Sequence, residues 1–73
     1  MRIHVTLRGV LAGDGQPQQR MTVIIPWGAT VEHLLGQLSI PSEDVQMALV
    51  NGSPAVRSAV LSDGDRVILA GAR

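Results

Sequence analysis

Alternating apolar and polar residues predict the first strand of the chain. In residues 2–8, RIHVTLR, the apolar residues Ile3, Val5 and Leu7 occupy every second position, and polar residues lie between them. Successive side chains of a β-strand point to opposite faces, so this pattern is typical of a half-buried strand. On its polar face we expect His4 to be solvated rather than a metal ligand.

A second strand is predicted over residues 20–25, RMTVII, after a glycine-rich loop at 9–19. The residues at every second position from Met21 share one face. Ile24 breaks the alternation and predicts partial cover on both sides of this strand. Pro26 lacks the N–H that a strand ladder needs, so it ends the strand.

The spacing of apolar residues changes to a helical one after Thr30. The predicted apolar face consists of Val31, Leu34, Leu35 and Leu38. Thr30 suits the N-cap, because its hydroxyl can accept a hydrogen bond from a free amide of the first turn. Gly36 lies inside this helix and costs about 1 kcal/mol relative to Ala. It either lets the helix approach the sheet closely or is simply tolerated.

Alternation returns in residues 45–50, VQMALV, which predict a third strand. The residues that this alternation assigns to the core face are Val45, Met47 and Leu49. Asn51 and Gly52 follow directly, and both accept the positive φ angles of a type I′ turn. This turn predicts a hairpin with a brief fourth strand around residues 55–56.

The last strand is predicted over residues 66–69, RVIL, after a tight turn at 62–65. Asp63 and Asp65 flank a glycine in that turn, and we interpret them as turn residues rather than as an acid pair or a metal site. The four residues that remain, 70–73 (AGAR), are predicted to form an exposed tail.

The predicted element order is β-β-α-β-β-β, with one helix to cover one face of the sheet. A single short helix on a mixed sheet of four or five strands is an α+β roll. If the first and last strands pair in parallel at the centre, this is the β-grasp, or ubiquitin-like, arrangement. We expect one such domain over residues 1–73.

Composition removes several classes of function. Apolar residues make up 45% of the chain, and the only aromatic residue is one Trp, so the core must be aliphatic. The absence of Cys excludes disulfides and thiolate metal sites. Six Arg balance six acidic residues without forming a cluster in the sequence, which disfavours binding to nucleic acid or to a membrane surface. No secretion signal or membrane-spanning run is present, so we expect a soluble cytoplasmic protein.

Three segments together resemble the ThiS/MoaD sulfur-carrier proteins, bacterial relatives of ubiquitin. They read VIIPWGATVEHLLGQLSIP, VQMALVNGSPA and VLSDGDRVIL, and they span residues 23–69 in the order and spacing of that family. The resemblance implies a carrier that is not itself an enzyme and binds no cofactor. An E1-like adenylating enzyme would use ATP to activate its C-terminal carboxylate. Sulfur would then pass through a synthase subunit to molybdopterin or to the thiazole of thiamine.

The resemblance places the carrier tail on Gly71, Ala72 and Arg73. Members of the family end in Gly-Gly, which fits a narrow channel because glycine has no side chain. This sequence ends in Ala-Arg. Either the native tail continues, or removal of the last two residues exposes Gly71, or the protein has kept the fold and lost the carrier chemistry. In the last case it is a β-grasp interaction module or subunit.

Trp27, the only aromatic residue, allows two interpretations. It can anchor a protein partner, because Trp is enriched at the centres of interfaces. It can also cap the corner between sheet and helix as a packing residue. Ser53 and Ser58 have no His/Asp constellation that would make either of them a nucleophile.

Overall fold

Five strands form one mixed sheet, and a single helix covers one of its faces. The computed structural model describes residues 1–13 and 18–71. Its strands are β1 (Arg2–Arg8), β2 (Gln18–Ile24), β3 (Val45–Val50), β4 (Ser53–Pro54) and β5 (Arg66–Gly71), and its helix is α1 (Val31–Gln37). The strand order is β2-β1-β5-β3-β4. The predicted β-grasp roll is confirmed.

The first and last strands pair in parallel at the centre of the sheet, as the sequence predicts. Their inward side chains are at most 6% exposed: Ile3, Val5, Leu7, Val67 and Leu69. Among the described residues no polar or charged side chain is buried. The core is therefore aliphatic throughout.

The helix begins where its cap predicts. The Oγ1 atom of Thr30 accepts a hydrogen bond from the His33 N–H at 3.3 Å, and Val31, Leu34 and Leu35 are buried. The first turn is also held from outside the helix, because the N–H of Val31 donates to the carbonyl of Ala59 at 3.0 Å. No helix in the described part of the chain is long and apolar enough to cross a membrane.

The segment between β1 and β2 contains more structure than the predicted loop. A turn of 3₁₀ helix, Gly9–Ala12, follows β1 directly, and its Ala12 is buried. The strand β2 begins at Gln18, two residues earlier than predicted. The rest of the predicted loop, residues 14–17, lies outside the described residues.

One face of β2 packs on the core, as predicted, but its other face is open. Met21 pairs with Val5 and Val23 with Ile3, and both Met21 and Val23 pack against the core. Ile24 is 64% exposed, so the expected cover on both sides of β2 is wrong.

A β-bulge in β3 overturns part of the predicted core. Val45 pairs with Gly71 while Met47 pairs with Ala70, so β3 has one extra residue between these two pairs. The extra residue shifts the alternation by one position. The residues of β3 that pack on the core are therefore Val45, Ala48 and Val50. Met47 is 53% exposed, and it lies with Leu49 on the outer face.

The hairpin after β3 is tighter than predicted. Asn51 and Gly52 have φ angles of 52° and 85°, as the two central residues of a type I′ turn require. Because this turn has only two residues, pairing resumes at once, and β4 is Ser53–Pro54 rather than a strand around 55–56. Val56, which the sequence placed in that strand, is 69% exposed.

Replacement of Leu35 tests the core. Leu35 is 2% exposed, so Leu35→Ala should lower the free energy of unfolding by about 2–5 kcal/mol. Ile24→Ala removes a similar side chain from an exposed position and should cost less than about 0.5 kcal/mol. Denaturant unfolding measures both. A loss below half a kcal/mol for Leu35→Ala would remove it from the core.

A pair of glycines tests the two interpretations of Gly36. An added Cβ would meet no atom within 4 Å at Gly36 or at Gly64, but Gly64 has a φ of +84°. Close approach to the sheet is therefore not the reason for Gly36. Gly36→Ala should stabilise the domain by roughly 0.5–1 kcal/mol, whereas Gly64→Ala should destabilise it by about 1 kcal/mol. Thermal unfolding of both variants measures the two signs, and a loss of stability in Gly36→Ala would contradict the assignment.

Candidate functional site

The two aspartates of the 62–65 turn hold backbone amides. Asp63 Oδ1 accepts from the Arg2 N–H at 2.7 Å, and Asp65 Oδ2 accepts from the Ser62 N–H at 2.8 Å. Both are turn residues, as predicted. Across residues 1–13 and 18–71, no group of three or more His, Cys, Asp or Glu side chains could hold a metal ion.

Asn51 connects this turn to the β3–β4 hairpin. Its Nδ2 donates to Asp65 Oδ1 at 3.0 Å, and its Oδ1 accepts from the Arg66 N–H at 3.0 Å. Its backbone N–H donates to the Arg66 carbonyl at 2.8 Å. The side chains of Asn51, Asp63 and Asp65 thus hold the loops at this end of the sheet in place.

Trp27 does not close the corner between sheet and helix. Its side chain is 74% exposed. The turn that carries it is closed by a hydrogen bond from the Ala29 N–H to the Pro26 carbonyl at 3.2 Å, and Gly28 supplies a φ of 83°. The packing interpretation is wrong, and a contact with a partner stays a prediction.

The C-terminal strand is longer than predicted and includes the first two residues of the predicted exposed tail. Gly71 is buried and pairs with Val45, so residues 70 and 71 belong to β5. A Cβ on Gly71 would lie 2.5 Å from Val10 Cγ1 and 3.2 Å from Leu11 Cγ. The 3₁₀ turn after β1 therefore covers Gly71, which explains the glycine by close packing. Ala72 and Arg73 lie outside the described residues.

The outer face of the sheet, opposite the helix, brings together residues that are distant in sequence. Thr6 of β1 pairs with Arg20 on one side and with Ile68 on the other. His4 pairs with Thr22 and with Arg66 in the same way. Alternation alone predicts which side chains of β1 point outward, but their neighbours depend on the register between strands.

A shallow concave region of about 680 Å³ lies on this outer face. Its lining includes Arg8, Arg20 and Arg66. Beside it, Leu49 pairs with Ile68, and both are partly exposed. The sequence-based analysis missed this surface, because the arginines that form it are spread along the chain.

Comparison with known proteins shows the family. The family model of the Mut7-C ubiquitin matches residues 1–70. The crystal structure of SAMP1 from Haloferax volcanii superimposes with a TM-score of 0.75 at 22% sequence identity, over 100% of this chain and 97% of that one. At this identity the likeness shows a shared fold. No curated protein matches the sequence.

A double-mutant cycle tests the close packing at Gly71. Gly71→Ala should lower the free energy of unfolding by about 1–3 kcal/mol, because the new methyl group meets Val10. Val10→Ala removes the atom that it meets and should restore part of the loss when combined with Gly71→Ala. Chemical denaturation of both single variants and the double variant gives the coupling energy. Strictly additive effects would show that Val10 does not cause the requirement for glycine.

Proposed function

Because the chain belongs to the Mut7-C ubiquitin family, we propose that it is a non-catalytic ubiquitin-like domain that acts by binding another protein through its folded body. The observation that carries this proposal is the burial of Gly71 within β5. Where the resemblance places the start of a mobile carrier tail, the chain is still part of the sheet. This residue therefore serves the scaffold.

The hydrogen bonds of the 62–65 turn support the same proposal. The side chains of Asp63, Asp65 and Asn51 accept from backbone amides, so these groups hold loops rather than face a substrate. The outer face of the sheet, in contrast, is left open by the helix. A folded body of this kind supplies binding surface.

A more specific second candidate is a ThiS/MoaD-like sulfur carrier for molybdopterin or thiamine-thiazole biosynthesis. The resemblance over residues 23–69 favours it, as does the central place of the last strand, β5, in the sheet. Its partners would be an E1-like adenylating enzyme, which uses ATP, and a synthase subunit. Sulfur is transferred only after the terminal carboxylate is activated.

The carrier chemistry has two steps. A C-terminal carboxylate oxygen attacks the α-phosphorus of ATP and releases pyrophosphate, which leaves an acyl-adenylate. Hydrosulfide from a sulfur donor then attacks the acyl carbon, the C–O bond to AMP breaks, and a thiocarboxylate remains. Gly71, Ala72 and Arg73 would be the residues that enter the active site of the adenylating enzyme.

Intact-mass spectrometry distinguishes the two candidates. The protein, expressed from its native reading frame, is incubated with an E1-like adenylating enzyme, ATP and a sulfur donor. A binding domain should keep its mass, whereas a carrier should gain the difference between one sulfur and one oxygen atom. Conversion of the native terminus to a thiocarboxylate would overturn the proposal.

A variant with a glycine terminus shows whether an unchanged mass of the native protein is due to its terminus or to its folded body. In Ala72→Gly/Arg73→Gly, made with a stop codon after position 73, the chain ends in glycines, while the described fold through Gly71 is untouched. If this variant reacts and the native chain does not, the body fits the adenylating enzyme and the native terminus is what prevents reaction. That pair of results would support a body that has kept the fold and a terminus that does not carry sulfur.

A further inference from the structure

We infer that the outer face of the sheet binds a protein partner that presents acidic side chains. This inference rests on the proposed function and names the chemistry of the partner. It comes from the distribution of charge in the folded chain, which the neutral overall composition conceals. We call this surface the arginine face and define it by Arg8, Arg20 and Arg66, with Ile68 and Leu49 beside them.

The sheet carries positive charge only. None of the strands β1 to β5 contains Asp or Glu, whereas four arginines lie in them. These arginines are all exposed: Arg2, Arg8, Arg20 and Arg66. The acidic residues of the described chain lie in the helix, in a second 3₁₀ turn (Ser42–Asp44) and in the loops: Glu32, Glu43, Asp44, Asp63 and Asp65. Within the described residues, acidic side chains therefore lie only outside the strands.

All four strand arginines lie on the outer face, and the strand register brings Arg8, Arg20 and Arg66 to its concave region. Arg20 lies opposite Thr6, and Arg8 is two positions further along β1, so Arg8 and Arg20 are diagonal neighbours. Such neighbours are about 7–8 Å apart, within the screening length of physiological salt. Arg66 lies on the other side of β1, opposite His4. The close pair of Arg8 and Arg20 favours an occupant that supplies carboxylates.

Apolar side chains adjoin the charged ones. Ile68 pairs with Thr6 and with Leu49, so an apolar strip runs along one side of the arginines. Met47, which the bulge turns outward, extends this strip and is 53% exposed. A protein surface with carboxylates beside apolar residues complements both the arginines and the apolar strip. Planar guanidinium groups bind carboxylates with two parallel hydrogen bonds, so arginine suits such recognition.

The same face is a poor match to nucleic acid. Binding of single strands uses aromatic side chains on which bases stack, and the one aromatic residue of the chain, Trp27, follows β2 in a turn. Four arginines also provide few phosphate contacts in a protein whose formal net charge is zero. We therefore assign the face to an acidic protein surface.

The test uses a fluorescent synthetic peptide that is rich in Glu and contains Leu. Its binding to the full chain is measured by fluorescence anisotropy. The peptide should bind, with affinity that falls as salt rises, and a peptide with Gln in place of Glu should bind weakly. Arg20→Glu should weaken binding by about tenfold or more. Arg57→Glu is the matched control: it makes the same change in net charge at an exposed position outside the strands, and it should change the affinity by less than about threefold.

The opposite results would overturn the inference. The first is an equal loss of peptide affinity in Arg20→Glu and Arg57→Glu. The second is no binding of the Glu-rich peptide at low salt. The third is a single-stranded RNA that binds more tightly than the peptide and whose binding Arg20→Glu abolishes. Thermal unfolding confirms that both variants fold. The peptide measurement uses neither ATP nor an adenylating enzyme. A negative result therefore overturns only this inference, whereas formation of a thiocarboxylate in the mass-spectrometry experiment would overturn the proposed function.

Discussion

The parallel pairing of β1 with β5 is the contact on which the rest of the fold depends. It joins the two ends of the chain through five residue pairs, and every other element lies between them in sequence. The turn before β5 helps to set this register, because the Gly64 N–H donates to the Arg2 carbonyl at 2.8 Å. The His4 N–H donates to the Asp65 carbonyl at 3.0 Å in the same region. The Asp63 side chain adds to this contact, because its Oδ1 accepts from the Arg2 N–H.

Features set by neighbouring residues could be predicted from the sequence, and features set by distant contacts could not. The alternation of β1, the Thr30 cap and the type I′ turn each depend on a few consecutive residues. The bulge in β3 depends on how that strand meets β5, so Met47 could not be assigned to the outer face by alternation. Gly71 resembles a tail residue in sequence, and only the 3₁₀ turn above it reveals its role in packing.

The candidate binding surface also depends partly on neighbouring residues, which the sequence reveals, and partly on contacts between distant strands, which it does not. Alternation predicts that Arg2 and Arg8 point outward from β1, but it says nothing about which strands lie beside them. Arg20 and Arg66 join them because β2 and β5 flank β1 in the sheet. The conclusion that the arginines form no cluster holds along the sequence and fails in the folded domain. A net charge of zero therefore describes this protein poorly, because the strands carry four arginines and no acidic residue.

The arginine face and Gly71 share one strand, which relates the two candidate functions. Arg66 begins β5 and Gly71 ends it, a separation of roughly 16 Å along an extended strand. A partner of ordinary interface size that covers the face can therefore also reach Gly71. Binding and carrier chemistry do not require different surfaces. They differ in whether the partner acts on the terminal carboxylate, and a body that keeps its docking face can lose that reaction without losing its partner.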